Sequence, residues 1–150
     1  MPMRPFEVLD VSGDAGLRVF GRDLAMLFAN AAAGLYDLVT DVSRIRTLRS
    51  VELEAEAGTL EGLLVSWLNE LIFRIDAHGF IAKEITIREL RVPVLPADDP
   101  SGFRIEASLT GEEFDASRHE QRLLVKAATW HRLKIVQENG TCQADIIFDT

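Results

Sequence analysis

VELEAEAGTLEGLLVSWLNELIFRIDAHG, residues 51–79, carries two different hydrophobic periods in succession. Val51, Leu53, Ala55 and Ala57 alternate with Glu52, Glu54 and Glu56, the pattern of a strand with one wet face. Beyond Gly58 the period changes. Leu60, Leu63, Leu64, Trp67, Leu68, Leu71, Ile72 and Ile75 recur every three or four residues and draw one stripe along a helix. Thr59 is placed to cap that helix and Gly79 to stop it. A half-wet strand running into an amphipathic helix predicts a layered mixture of sheet and helix, with Trp67 in its core.

The flanking sequence extends this pattern in both directions. Upstream, Asp23 precedes a second stripe of Leu24, Leu27, Phe28, Ala31, Ala32, Leu35 and Val39. Phe6–Val11 and Leu17–Phe20 read as short strands around a tight SGDAG turn, Ser12–Gly16. Downstream, Ile85 and Ile87 interleave with Glu84, Thr86 and Arg88, and Phe103, Ile105, Ala107 and Leu109 with Arg104, Glu106 and Ser108. Asn139-Gly140 is the preferred pair for a type I′ hairpin turn. It predicts pairing of two strands, roughly Arg122–Val136 and Thr141–Phe148. Pro93 to Gly102, with three prolines and two aspartates, is the one long loop. Seven or so strands and two amphipathic helices make an α+β fold, mostly antiparallel, in a single domain over residues 1–150. The element order is not βαβαβ, and no Gly-rich phosphate loop is present.

Composition narrows the function. Twenty-four acidic against sixteen basic residues give a net charge of −8. Tight nucleic-acid binding rests on releasing counterions with Lys and Arg, so this chain is not expected to hold RNA or DNA tightly by itself. No apolar run approaches the ~18 residues of a membrane span, and the N-terminal residues do not form a signal peptide. Cys142 is the only cysteine, which excludes an internal disulfide and any multi-cysteine metal site. A reducing cytoplasm is the expected location.

Three places could carry chemistry. Asp10, Ser12 and Asp14 crowd the first turn between glycines, a setting that suits a hard cation such as calcium, magnesium or manganese, or an ordinary Asx-capped turn. Asp149 follows the last apolar strand, and a pairing of the first and last strands would bring it to Asp14. The third place is His119 with the run Leu123–Ile135. Alternation there puts His131 on the apolar face with Leu123, Val125, Ala127 and Thr129, as a core histidine or a ligand. It puts Lys126, Trp130, Arg132 and Lys134 on the other face, a basic stripe for a phosphate, an acidic partner or plain solvent.

In order and wording, these segments resemble the archease family over essentially the whole chain. The family's first motif, [DE]-H-T-A-D-I-G, reads Asp10-Val11-Ser12-Gly13-Asp14-Ala15-Gly16 here. LEGLLVSWLNELIFRID is similar to its L-L-x-x-W-L-N-E-L-L helix. VKAATWH is similar to its V-K-A-x-T-Y-H, with Trp130 at the tyrosine, and FDT to its final F-D-[IV]. The resemblance implies a small acidic protein that is not itself an enzyme. It would activate an RtcB-type RNA ligase in tRNA splicing or RNA repair, promoting guanylylation and repeated turnover. It implies a divalent cation, calcium or else magnesium or manganese, on Asp14, Asp149 and the backbone of Thr150. Asp10 and Ser12 stand behind that set, and His119, Lys126 and His131 are candidate partner contacts. Val11 departs from the family, which has histidine there. Two other readings stand beside this one: a metal-dependent phosphoesterase using Asp10, Asp14 and Asp149 with His131 as base, and a chaperone using the second helix.

Overall fold

The computed structural model describes residues 4–11, 13–93 and 102–150. The loop expected over Pro93–Gly102 falls, apart from its two ends, outside them. In chain order the elements are β1 (Phe6–Val11), β2 (Asp14–Gly21), α1 (Leu24–Val39), a 3-10 turn (Val42–Arg44), β3 (Arg49–Ala57), α2 (Leu60–His78), β4 (Phe80–Arg91), β5 (Phe103–Glu113), β6 (Ala127–Ala128), β7 (Ile135–Glu138) and β8 (Thr141–Asp149). This is the expected α+β arrangement, and every strand pair is antiparallel.

Both helices begin and end where their sequence signals stand. Asp23 accepts the Met26 N–H at 2.8 Å and Thr59 accepts the Gly62 N–H at 3.0 Å. Gly79 ends α2 in the left-handed region at φ 66°, where a side chain would be strained. The Trp67 indole N–H donates to the Phe28 carbonyl at 3.0 Å, joining α2 to α1 from within a fully buried position. One sheet runs β1-β2-β8-β6, with β7 also pairing with β8; the other runs β3-β5-β4. Helix α1 touches β2 of the first sheet and β4 of the second, and α2 packs on β3. The core lies between the helices and the inner faces of both sheets.

On the outer face of the second sheet, Arg104 is held by Glu56 at 2.6 Å, Glu54 at 2.5 Å and Glu106 at 2.7 Å. Glu52 pairs with Arg88 at 3.2 Å. Within the described residues β3 pairs on one side only, so it forms an edge carrying this acidic row.

Two expectations about strands are corrected. The first turn is narrower than SGDAG: Val11 already pairs with Asp14, which opens β2. Gly13, at φ 81°, lies in the left-handed region that favours glycine. The strand expected over Arg122–Val136 is broken. Arg122 and Leu123 instead donate to the Val39 and Leu38 carbonyls at the end of α1. Ala128 then pairs with Phe148 and Ile135 with Ala144, so residues 129–134 oppose only 145–147 of β8. The excess leaves the sheet as a loop with Arg132 at φ 57°, and alternation ends there. His131 is accordingly exposed rather than on the apolar face. The final hairpin does form at Asn139 and Gly140, at φ 51° and 74°, as a type I′ turn requires.

Leu68 is fully buried in this core. Leu68→Ala is expected to lower stability by about 2–5 kcal/mol in urea denaturation; a loss under about half a kilocalorie would place the stripe at the surface. Gly111 leaves no room for a side chain, since a β-carbon there would lie 1.9 Å from the Ile81 carbonyl oxygen. Gly111→Ala is expected to cost about 3 kcal/mol by forcing β4 and β5 apart, read as a drop in melting temperature.

Candidate functional site

The site is built by the pairing of β2 with β8. Leu17 and Val19 on one strand, with Ala144 and Ile146 on the other, share the inner face and are buried. That apolar match sets the register. The ladder ends with Ala15 paired to Phe148, and Asp14 and Asp149 are the next residue on each strand. The two aspartates, distant in sequence, therefore stand at the same end of the sheet. The sequence-based expectation had β8 beside the first strand; it lies beside the second, the one that carries Asp14.

Strand alternation assigns the faces. Asp14 and Asp149 share the outer face with Val11, Arg18 and Asp145. Four residues before Asp149, Asp145 is neutralised by Arg18 through two hydrogen bonds of 2.9 and 3.0 Å, with Glu7 a further 3.6 Å contact. No such cation serves Asp14 or Asp149 among the described residues: both are exposed and neither carboxylate has a hydrogen bond or ion pair. Two opposed carboxylates repel unless a cation or proton lies between them. An all-oxygen pair suits a hard ion, calcium, magnesium or manganese.

The rest of the expected ligand set is placed as follows. Thr150, exposed, follows Asp149 directly, and the Lys126 N–H holds the Asp149 carbonyl at 2.8 Å, tying this strand end down. Asp10 pairs with Ala15 and so projects on the opposite face from Asp14. Ser12 lies outside the described residues. No cluster of three or more His, Cys, Asp or Glu side chains forms a ready metal cage among the described residues. Asp14 and Asp149 could offer a cation two carboxylates, with the other coordination positions left to outside oxygens.

The candidate partner contacts separate. Lys126 and His131 are exposed. His119 is not available at the surface; it is 4% exposed and serves as an internal strut. Its Nδ1 accepts the Asp115 N–H at 2.8 Å, which leaves the proton on Nε2, 3.1 Å from a Glu112 carboxylate oxygen. Glu112 is a residue that sequence reasoning missed. It is buried and also accepts the Arg46 N–H at 2.6 Å, the Arg46 guanidinium at 3.2 Å and the Arg118 guanidinium. Burial pushes its carboxyl up, but these bonds and the Arg118 charge outweigh burial and hold it at about 2. The adjoining open cleft of about 660 Å³ is lined by Arg46, Arg49 and Arg118 together with Glu112, Glu113 and Asp115, so its charges neutralise one another.

Because the folded-state value lies below the ordinary 4.5, Glu112 stabilises the fold fully above that pH and loses its contribution as pH falls toward 2. Glu112→Gln is expected to lower the urea midpoint at pH 7, with the gap to the parent closing between pH 5 and pH 2.5. A gap independent of pH would contradict this role.

Known proteins place these features in context. A family model described as the Archease protein family (MTH1598/TM1083) matches residues 6–150. A protein archease from Methanopyrus kandleri is 32% identical over 145 residues, covering 97% of this chain and 99% of that protein. One from Aeropyrum pernix is 35% identical over 138 residues, covering 92% of each. The solution structure of Methanobacterium thermoautotrophicum protein 1598 superposes with a TM-score of 0.78 at 30% identity, covering 99% of this chain and 100% of that one. A Thermotoga maritima crystal structure, titled an archease, possible chaperone, shares the fold at a TM-score of 0.59 and 18% identity, covering 100% of this chain and 99% of that one.

Proposed function

The chain belongs to the archease family, and from that premise we propose that it is an accessory protein, not an enzyme, which activates an RtcB-type RNA ligase during tRNA splicing or RNA repair in the cytoplasm. What supports the reading is the β2–β8 ladder, which runs to Ala15 and Phe148 and so leads to Asp14 and Asp149, neither of whose carboxylates has an ion pair among the described residues. Asp14 and Asp149 would hold a divalent ion, with the backbone of Thr150 as a further oxygen donor. When bound, such an ion supplies positive charge that phosphate oxygens can coordinate. The seat is exposed at the end of a sheet, so it can be offered to a larger protein's nucleotide-filled site. Val11, which pairs with Asp14 on the same face, leaves that flank apolar where the family pattern has an imidazole.

The net charge of −8 fits the same role. It steers the protein toward a basic channel mouth and away from RNA itself. The phosphoesterase alternative needs Asp10, Asp14, Asp149 and His131 to converge. Asp10 lies on the other face of the hairpin, and the loop carrying His131 is anchored to α2. The placement favours the accessory role.

The test is a ligase guanylylation and multiple-turnover assay with and without the protein. Asp14→Ala and Asp149→Ala are each expected to abolish stimulation while unfolding cooperatively. Normal stimulation by both variants would refute the cation seat, and RNA joining or phosphoester cleavage without ligase would make the protein an enzyme. Binding of the full protein to tRNA without ligase is expected to be weaker than micromolar at physiological salt; a salt-sensitive submicromolar affinity would contradict the accessory reading.

A further inference from the structure

Loop 129–134, which the sheet expels, gathers a chemistry that the carboxylate seat does not use. Its sequence is Thr-Trp-His-Arg-Leu-Lys. Both ends are fastened to α2. The Asn69 side chain accepts the Ala128 N–H at 2.8 Å on entry, and Glu61 accepts the Ile135 N–H at 3.2 Å on exit. Thr129 donates through both its N–H and its hydroxyl to the Ile147 carbonyl, at 2.9 Å each. Inside the loop, the Leu133 N–H closes a turn on the Trp130 carbonyl at 3.1 Å. The loop is therefore a braced projection.

Trp130 is the second residue of the loop. One edge of the indole rests on Gly62, where an added β-carbon would lie 3.0 Å from Trp130 Cη2. The residue as a whole is 59% exposed. Three cations lie within four residues of it in sequence. Arg18, Arg46, Arg88, Arg104, Arg118 and Arg122 are all tied to carboxylates. Lys126, Arg132 and Lys134 make no ion pair among the described residues. The Lys126 N–H bonds the Asp149 carbonyl and Lys134 directly precedes the residue that pairs with Ala144, so the two lysines flank a run of β8 roughly 17 Å long.

We propose that this loop is a contact for the end of a single RNA strand, one base stacking on Trp130 and two or three phosphates meeting Lys126, Arg132 and Lys134. An open aromatic face flanked by unpaired cations is how single strands are held without sequence preference. The acidic remainder of the surface confines the contact to a few nucleotides and disfavours a duplex, whose doubled phosphates would face carboxylates. An acidic protein segment would satisfy the cations but would leave the indole face without a stacking partner. The choice of RNA over DNA rests on the accessory reading above; the stacking and phosphate contacts do not.

The test uses the whole protein without ligase, so its failure and the failure of ligase activation are separate results. Of the two tryptophans, Trp67 is fully buried, so fluorescence changes on ligand addition report Trp130. Hexa-adenylate RNA is expected to quench that fluorescence saturably, with a dissociation constant of roughly 10⁻⁴ M. The salt slope should be about −2, as for three phosphates on a single strand. Trp130→Ala is expected to weaken binding, followed by calorimetry, about tenfold. Arg132→Ala is expected to flatten the salt slope while leaving the melting temperature unchanged. Absence of quenching by the RNA would overturn the proposal. So would hexaglutamate peptide binding as tightly as the RNA, which would assign the loop to an acidic protein, or undiminished RNA binding by Trp130→Ala.

Discussion

The pairing of β8 with β2 is the contact on which the rest of the first sheet depends. β8 lies between β2 on one side and β6 and β7 on the other, so the sheet has no continuity without it. Its inner-face residues Cys142, Ala144, Ile146 and Phe148 are all buried, and a slip of one residue would turn them outward. The same register that satisfies the core therefore fixes where Asp149 stands. The polar end of the sheet inherits its geometry from apolar residues several positions away.

Electrostatics divide the surface into zones of different character. On the outer faces of both sheets, carboxylates are matched with arginines: Asp145 with Arg18, and Glu54, Glu56 and Glu106 with Arg104. Glu112 collects two arginines and a histidine in the interior. Two of the places outside this matching differ in sign: Asp14 and Asp149 make no ion pair, and neither do Lys126, Arg132 and Lys134, among the described residues. Exposed ion pairs contribute little to stability, so unmatched groups at the surface are tolerated by the fold. They remain the places with charge available to something outside it.

Local signals made the helices, the first hairpin and the last hairpin legible. Asp23, Thr59, Gly79 and Asn139-Gly140 each act within a few residues of themselves, and the structure uses each as its chemistry suggests. That Asp14 and Asp149 would stand at one end of the sheet was expected from the motif resemblance; the strand that β8 would join was not readable, because register between distant strands is set by the whole core. Residues 122–136 failed for a related reason. Their alternation is unbroken in sequence, but β8 offers only three residues opposite 129–134, and that mismatch exists only in the partner strand. No glycine marks the left-handed turn at Arg132. Glu112 was hidden for another reason: it occupies a wet position of β5, and the segments holding Arg46 and Arg118 fold over it from outside the strand.

The acidic row along β3 has a bearing on how copies of this protein meet. An open edge strand presents unpaired backbone N–H and carbonyl groups that another strand can join. β3 is nine residues long and its register with β5 is regular, the kind of edge that templates addition most readily. Were two such edges to pair antiparallel, Glu52, Glu54 and Glu56 of one copy would stack beside the same three of the other. Arg104 reaches the carboxylates from within its own sheet and has none of its charge left to bridge a second row. Repulsion between identical rows thus guards the edge at high concentration, and acid or high salt, which mute it, are the conditions in which the guard would lapse.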